Sequence, residues 1–335
     1  MKKAILYNSR DIRVVEAPEP EVGPEDMLVK VKVCGICTGE LMEWYVDRKA
    51  PYTPGHEFVG VVVRLGERVE GFSVGDRVFV HHHAPCMECE YCRFGDYVHC
   101  PVWRRGGVEP GGFSEYVKVP SHIWRVDVLK VPAHVSDEDA ALIEPLATSV
   151  KAVRRAGIVK GEPVLMVGLG FMGLLNYRVA EVFGGEVWGI DVNPDRVKLV
   201  RDRWGMRAYL PEELKGRTFR KVFVNPGSVA AVLSGLEFVR RGGSLILFAP
   251  LPPGDNVPLD FNRLYFDEIT LVPSYSAGPD DTRIALALVS EGAVRPSRFI
   301  TVRVPLGRVG EGFEIARRPD VVKVMVYVEG EPPEV

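Results

Sequence analysis

At 335 residues the chain exceeds one comfortable hydrophobic core, so two domains are expected, each long enough to bury a substantial interior. Its 42 Lys plus Arg stand against 45 Asp plus Glu, with no basic block, so nothing in the sequence asks for nucleic acid or an anionic membrane, and small-molecule chemistry is expected instead. No apolar run approaches the length of a membrane span and the N-terminal stretch turns polar within a few residues, so a cytoplasmic protein is expected. Glutamine is absent while Arg and Glu are abundant, a compositional hint of selection at high temperature.

From Ala4 to about Val128, short β-branched runs such as Met27–Val33 and Val59–Val63 are broken by Gly and Pro, which predicts a β-rich barrel or sandwich with long loops. Within it, Cys37 and His56 lie on segments of chemical interest, Cys34-Gly35-Ile36-Cys37-Thr38-Gly39-Glu40 and Gly55-His56-Glu57-Phe58. With Glu144 further on, in Ile143-Glu144-Pro145-Leu146, they offer one thiolate, one imidazole and one carboxylate. Three protein ligands of this kind leave the fourth zinc position open for water or substrate, as catalysis needs. The spacing of Cys34 and Cys37 also spells C-x-x-C, but few charges flank it to lower a thiol pKa. The run His81-His82-His83 sits at a strand end and is assigned to structure or solvent.

Cys86, Cys89, Cys92 and Cys100 follow, separated by two, two and seven residues. Such spacing lets one short lobe, about 84–102, close a tetrahedral shell of four thiolates around a structural zinc. All six cysteines precede residue 101 and no secretory signal is visible, which disfavours disulfides.

Around Ser136 the texture changes. Ser136 can cap a helix whose apolar residues recur at helical spacing through Ala156, a hinge between domains. Beyond it, buried strands at 163–167, 186–190, 221–224, 244–248 and 269–272 alternate with helices, the pattern of a doubly wound parallel sheet. Gly168-Leu169-Gly170-Phe171-Met172-Gly173 follows the first of these strands and opens a helix from about Met172, the context a dinucleotide fingerprint requires. Its glycines allow a tight turn, close approach of pyrophosphate, and helix–strand packing. Asp191 ends the next strand, where a carboxylate holds both ribose hydroxyls and repels a 2′-phosphate, so NAD is favoured over NADP. Arg196, five residues on, is either a phosphate partner that keeps NADP possible or a solvated first-turn charge. The tail 329–334 is expected to fray.

With these motifs in order, and with Gly75-Asp76-Arg77-Val78 between them, the chain resembles the zinc-containing medium-chain alcohol dehydrogenases almost end to end. The resemblance implies an α/β protein with a GroES-like β-rich catalytic domain over 1–149, a Rossmann domain over 150–275, and a segment 276–335 that rejoins the first domain. It implies two zincs per chain, a dimer or tetramer, and zinc acting as Lewis acid while hydride passes between a small-molecule alcohol or ketone and the nicotinamide. Carried over by position, Cys37, His56 and Glu144 become catalytic zinc ligands and Glu57 a neighbouring carboxylate able to enter or leave. Thr148 lies against the nicotinamide, and Glu40 hydrogen-bonds His56 from behind.

The match fails at the proton relay. The family places a Ser or Thr two residues after the ligand cysteine and often a His five residues after it; here those positions hold Gly39 and Met42. Thr38, one residue early, is the substitute, with Glu40 or Glu43 acting through water. The resulting expectation is an NAD-preferring oxidoreductase acting on a secondary alcohol that is bulky or brings its own hydroxyl. Polyol, sugar or L-threonine oxidation is the runner-up, suggested by Glu144 and the run Ser274–Thr282; a zinc-stabilised nucleotide-binding protein with little activity is the third reading.

Overall fold

The run Met27–Gly35 forms a central strand because Val29, Val31 and Val33, two residues apart, are buried while Lys30 and Lys32 stay partly exposed. The structure, a computed structural model, describes residues 1–333, so Glu334 of the tail lies outside the described residues. In chain order the strands are β1 (Lys2–Asn8), β2 (Asp11–Glu16), β3 (Met27–Gly35), β4 (Glu57–Leu65), β5 (Arg77–Val80), β6 (Tyr116–Val119), β7 (Val128–Lys130), β8 (Pro163–Val167), β9 (Glu186–Ile190), β10 (Ala208–Tyr209), β11 (Phe219–Val224), β12 (Val239–Leu247), β13 (Thr270–Pro273), β14 (Val302–Pro305) and β15 (Val324–Tyr327). The chain divides into two compact units, 1–147 together with 277–335, and 148–276.

The first unit is the β-rich one. Its seven-stranded sheet runs β14-β15-β3-β4-β5-β7, with β6 on β3, beside a hairpin of β1 and β2. Antiparallel register decides what gathers at one end of this sheet. β3 and β4 set Gly35 opposite Glu57, β4 and β5 set Val59 opposite Phe79, and β5 and β7 set Val80 opposite Val128. The segments just after β3, just before β4, just after β5 and just before β7 are therefore neighbours, although they come from four stretches of sequence.

The second unit holds six parallel strands in the order β10-β9-β8-β11-β12-β13. Strand order reverses between β8 and β11, which makes the carboxyl end of β8 a switch point where ligands of such sheets bind. β12 begins five residues before the expected Ser244, because Arg240, Arg241 and Gly242 conceal a strand start within exposed, non-β residues.

Between these sheets in sequence, the single helix expected from Ser136 to Ala156 is two, Asp137–Ala141 and Ile143–Ala156. Ser136 caps the first, its Oγ accepting from the Asp139 N–H at 3.1 Å. The break follows from Pro145, which lacks an N–H for the carbonyl of Ala141 and whose ring crowds it. The unit boundary falls inside the second helix, between Ala147 and Thr148.

Candidate active site

The four-cysteine lobe is built from short pieces: helices Glu90–Arg93 and Pro101–Arg104 and the turn Tyr97–His99. All four Sγ atoms lie within 4.8 Å of one another. Cys89 and Cys92 are 3.5 Å apart and Cys86 and Cys92 3.9 Å. A tetrahedron with Zn–S bonds of ~2.3 Å has edges of about 3.8 Å, so the donor set fits zinc. Burial pushes the Cys100 thiol up, but the backbone N–H groups of Cys86, Trp103 and Val102 outweigh it and bring its pKa down to about 6. Burial, then the neighbouring Cys89, pushes Cys92 the other way, up to about 12, so without metal the negative charge of the lobe settles on Cys100.

A second donor set forms where β3 ends and β4 begins. Cys37 Sγ, a His56 ring nitrogen and a Glu57 carboxylate oxygen lie within 4.8 Å of one another. Cys37 caps the turn Thr38–Leu41, its Sγ accepting from the Gly39 N–H at 3.4 Å while Glu40 Oε2 accepts from the Cys37 N–H at 3.2 Å. Glu40 is buried; its Oε1 accepts from the Gly55 N–H at 2.7 Å and lies 3.3 Å from His56 Nδ1. Behind the ligand set, a carboxylate therefore fixes the ring orientation of His56, as metal-binding histidines require. Burial works against a charged His56, yet Cys37 and Glu40 hold its pKa well above the ordinary value. Glu57 is 1% exposed and forms an ion pair with Lys323, whose ammonium also donates to the Ile36 carbonyl at 2.8 Å. Cys34 is fully buried and burial raises its thiol pKa well above normal, which removes the basis for a reactive C-x-x-C pair.

Glu144 falls in a neighbouring set rather than in that of Cys37. Its carboxylate and ring nitrogens of His81 and His82 lie within 4.8 Å of one another. His81 is entirely buried, not solvated, and its Nδ1 lies 2.7 Å from Asp127 Oδ2. The ring centroids of His56 and His82 are 4.8 Å apart. His83 stacks on Trp103 at 4.1 Å, and burial first, then the charge of His81, lowers its pKa to about 3. Of the other relay candidates, Glu43 is bound at the surface by Arg10, with hydrogen bonds of 2.9 and 3.1 Å.

In the second unit the fingerprint glycines each answer a separate demand. Gly168 has φ +84°, and a Cβ there would meet Pro226 Cγ at 2.6 Å. A Cβ on Gly173 would overlap the Gly168 carbonyl oxygen, whereas one on Gly170 would meet nothing within 4 Å. The cradle at Gly170 is therefore open to a phosphate at the start of the helix Phe171–Val182. Asp191 accepts from the Leu169 N–H at 2.8 Å and the Asn193 N–H at 2.9 Å, which fixes its carboxylate beside that loop. Arg196 is 8% exposed, so it is not the solvated charge of the alternative reading.

An open Cys–His–Glu set in a unit of the same chain as a dinucleotide-binding sheet defines a metal-dependent, nicotinamide-linked oxidoreductase. Comparison with known proteins narrows the class. Residues 23–133 match the alcohol dehydrogenase GroES-like domain and residues 172–291 the zinc-binding dehydrogenase family. A sorbitol dehydrogenase of Halalkalibacterium halodurans is 31% identical over 333 residues, 93% of this chain and 94% of that protein. An L-threonine 3-dehydrogenase of Chelativorans sp. is 31% identical over 328 residues, 92% of this chain and 93% of its own. The crystal structure of a chain described as a zinc-binding dehydrogenase, from Sinorhizobium meliloti 1021 and bound to NADP, superposes with a TM-score of 0.86 at 27% identity, covering 97% of this chain and 98% of that one. The chain belongs to the zinc-containing medium-chain dehydrogenases and is an enzyme that interconverts alcohols and carbonyl compounds. No helix among the described residues is long and apolar enough to cross a membrane.

Two contributions escaped the sequence reading. Lys323 comes from β15's approach, far from Glu57 in sequence, and no local pattern marks it. The histidine run was visible but read as structural, because the strand pairing that turns it toward Glu144 cannot be seen in one segment.

Proposed function

We propose that Cys37, His56 and Glu57 hold the catalytic zinc and that the chain oxidises a secondary alcohol bearing a second polar group, such as a polyol or a β-hydroxy amino acid, with NAD preferred over NADP. The Cys37–His56–Glu57 set, in which Glu57 is buried and Cys37 and His56 are partly exposed, with Glu40 behind His56 and Lys323 behind Glu57, supports this reading. When bound, the zinc polarises the substrate oxygen as a Lewis acid and the nicotinamide exchanges a hydride with the adjoining carbon. Glu40 keeps the imidazole aimed through Nδ1, so its Nε2 is the nitrogen offered to the metal. Lys323 balances the charge of Glu57, both side chains being buried. Thr38 stands in for the missing relay hydroxyl, Gly170, Phe171 and Met172 belong to the dinucleotide fingerprint, and Thr148 keeps the place against the nicotinamide that the family resemblance implies. Preference for NAD rests on Asp191, whose carboxylate repels a 2′-phosphate and accepts from ribose hydroxyls.

The substrate class follows from Gly39. No hydroxyl stands there to take the alcohol proton, so a substrate carrying its own second hydroxyl or amino group supplies the missing hydrogen-bonding path. A Cβ on Gly39 would meet only Cys37 Sγ, at 3.6 Å, an ordinary contact, so Gly39→Ser should fold. Steady-state assays of sorbitol, 2,3-butanediol, threonine and propan-2-ol with both cofactors test the proposal. Expected are a higher kcat/KM for the bifunctional alcohols and a gain of about tenfold in propan-2-ol kcat on Gly39→Ser, less than the roughly 10²–10⁴-fold of a fully positioned acid–base group because the rest of the relay is still missing. Propan-2-ol oxidation as fast as that of the polyols in the natural chain overturns it.

A further inference from the structure

We propose that Asn225 positions the glycine loop for the dinucleotide pyrophosphate, and that Asn176 beneath it selects which end of the Asn225 carboxamide meets that loop. The inference concerns the part that NAD and NADP share, so it goes beyond the functional reading above and holds whichever of them is preferred.

The geometry begins where β8 ends. Gly168, with φ +84°, turns the chain out of the sheet, and a glycine peptide on such a turn rotates easily because no Cβ restrains it. Here both peptides of the turn are gripped at each of their polar ends. On the β9 side, the Gly168 N–H donates to the Ile190 carbonyl and the Leu169 N–H to Asp191 Oδ2, both at 2.8 Å. On the other side, parallel pairing sets Val224 of β11 opposite Val167, which brings Asn225 to the loop. The Asn225 N–H and its Nδ2 each donate to the Val167 carbonyl at 3.0 Å, and Nδ2 also donates to the Gly168 carbonyl at 3.2 Å.

What this grip prevents is a rotation of the Gly168–Leu169 peptide. The cradle at Gly170 lies two residues on, and a released carbonyl oxygen so near to it opposes the pyrophosphate that the helix start attracts. The same carbonyl also lies under that helix. A Cβ on Gly173 would stand 2.0 Å from its oxygen, so the direction of the carbonyl sets how closely the helix approaches the loop.

A carboxamide has two ends of nearly the same shape, and Asn225 reversed would set its Oδ1 against two carbonyls. Asn176 forbids the reversal: its Nδ2 donates to Asn225 Oδ1 at 2.7 Å, which leaves the Asn225 Nδ2 for the loop. Asn176 is 0% exposed on a helix that also buries Leu174, Leu175, Val179 and Ala180, and its own Oδ1 is buried without a partner. An orphaned acceptor weakens a core, and the bond that Asn176 donates is what the position gains.

Calorimetric titration of the full-length protein with NAD and with NADP, beside the Tm of the dinucleotide-free chains, tests the proposal. Asn225→Leu should weaken both dinucleotides by the same factor, about tenfold, since the pyrophosphate is common to them. Asn176→Leu should weaken both about threefold, and the double variant should bind no worse than Asn225→Leu alone, because Asn176 acts only through Asn225. At saturating dinucleotide kcat should hold while the dinucleotide KM rises, as for a group that touches no reacting atom. Affinities unchanged in Asn225→Leu overturn the proposal, whether or not Tm falls, and so does a loss confined to one dinucleotide. Additive losses in the double variant overturn the assignment of Asn176. Crystals of the natural chain with its dinucleotide guard against variants that fail to fold. A Gly168 carbonyl still on Asn225 Nδ2, with the pyrophosphate at Gly170, supports the proposal; a carbonyl turned away from Asn225, or a pyrophosphate bound elsewhere, overturns it.

Discussion

Glu57 shows how much a single side chain here depends on one distant partner. It is 1% exposed and forms an ion pair with Lys323, 3% exposed. Removing one member of a buried pair strands the other charge, at a cost of about 3–5 kcal/mol. Lys323→Met should therefore destabilise the metal-free protein by that amount, and less when zinc is bound, because a cation on Glu57 replaces the missing ammonium. Denaturant unfolding with and without zinc measures both terms. Equal losses in the two states would mean that Glu57 does not touch the metal. The same pair marks a limit of sequence reading. Cys37 and His56 were legible because each sits in a short local motif, and Glu40 because it lies three residues from the cysteine. Lys323 follows two valines in Val321-Val322-Lys323, and nothing near it in the chain distinguishes it from a solvated lysine.

Among the elements, the cysteine lobe has the least to hold it. Its helices are four residues long, below any length that is stable alone, and Phe94, Tyr91 and Met87 are 76, 47 and 47% exposed. Its small core consists largely of the cysteines themselves, with Val98 and Trp103. Metal bonds therefore stand in for apolar burial. Cys100→Ser should lose one zinc per chain and about 3 kcal/mol of stability, roughly 10 °C in Tm for a unit of this size. Paired zinc analysis and calorimetry check this; a variant with unchanged metal content would refute the structural site. The lobe was readable from spacing alone, since four thiols so close in sequence have few other arrangements. The helix pair around Leu142 was less readable: its apolar period continues across the break, and the missing N–H of Pro145 ends the first helix where the pattern does not.

At the scale of the molecule, alternating strands and helices made the second unit legible, since parallel strands buried on both faces read as continuous apolar runs. The first unit was legible only as β-rich, because antiparallel register there joins segments from β3, β4, β5 and β7 that share no motif. What the second unit contributes can be measured through the stability of the chain. A ligand that binds only the folded state at a hundred times its Kd stabilises by about 2.7 kcal/mol. NAD should therefore raise Tm, and on the proposed reading should raise it more than NADP at equal concentration, because the Asp191 carboxylate, held beside the glycine loop by Leu169 and Asn193, would accept from ribose hydroxyls and repel a 2′-phosphate. Asp191→Asn keeps an acceptor for one of those N–H groups but removes the charge. Its NAD affinity should fall about tenfold, the worth of roughly 1.4 kcal/mol, while its NADP affinity holds or improves. Calorimetric titration of both chains with both dinucleotides reads the ratio directly. A natural chain that binds NADP more tightly than NAD would assign the controlling charge to Arg196, which is buried on the helix Pro194–Trp204 five residues beyond Asp191.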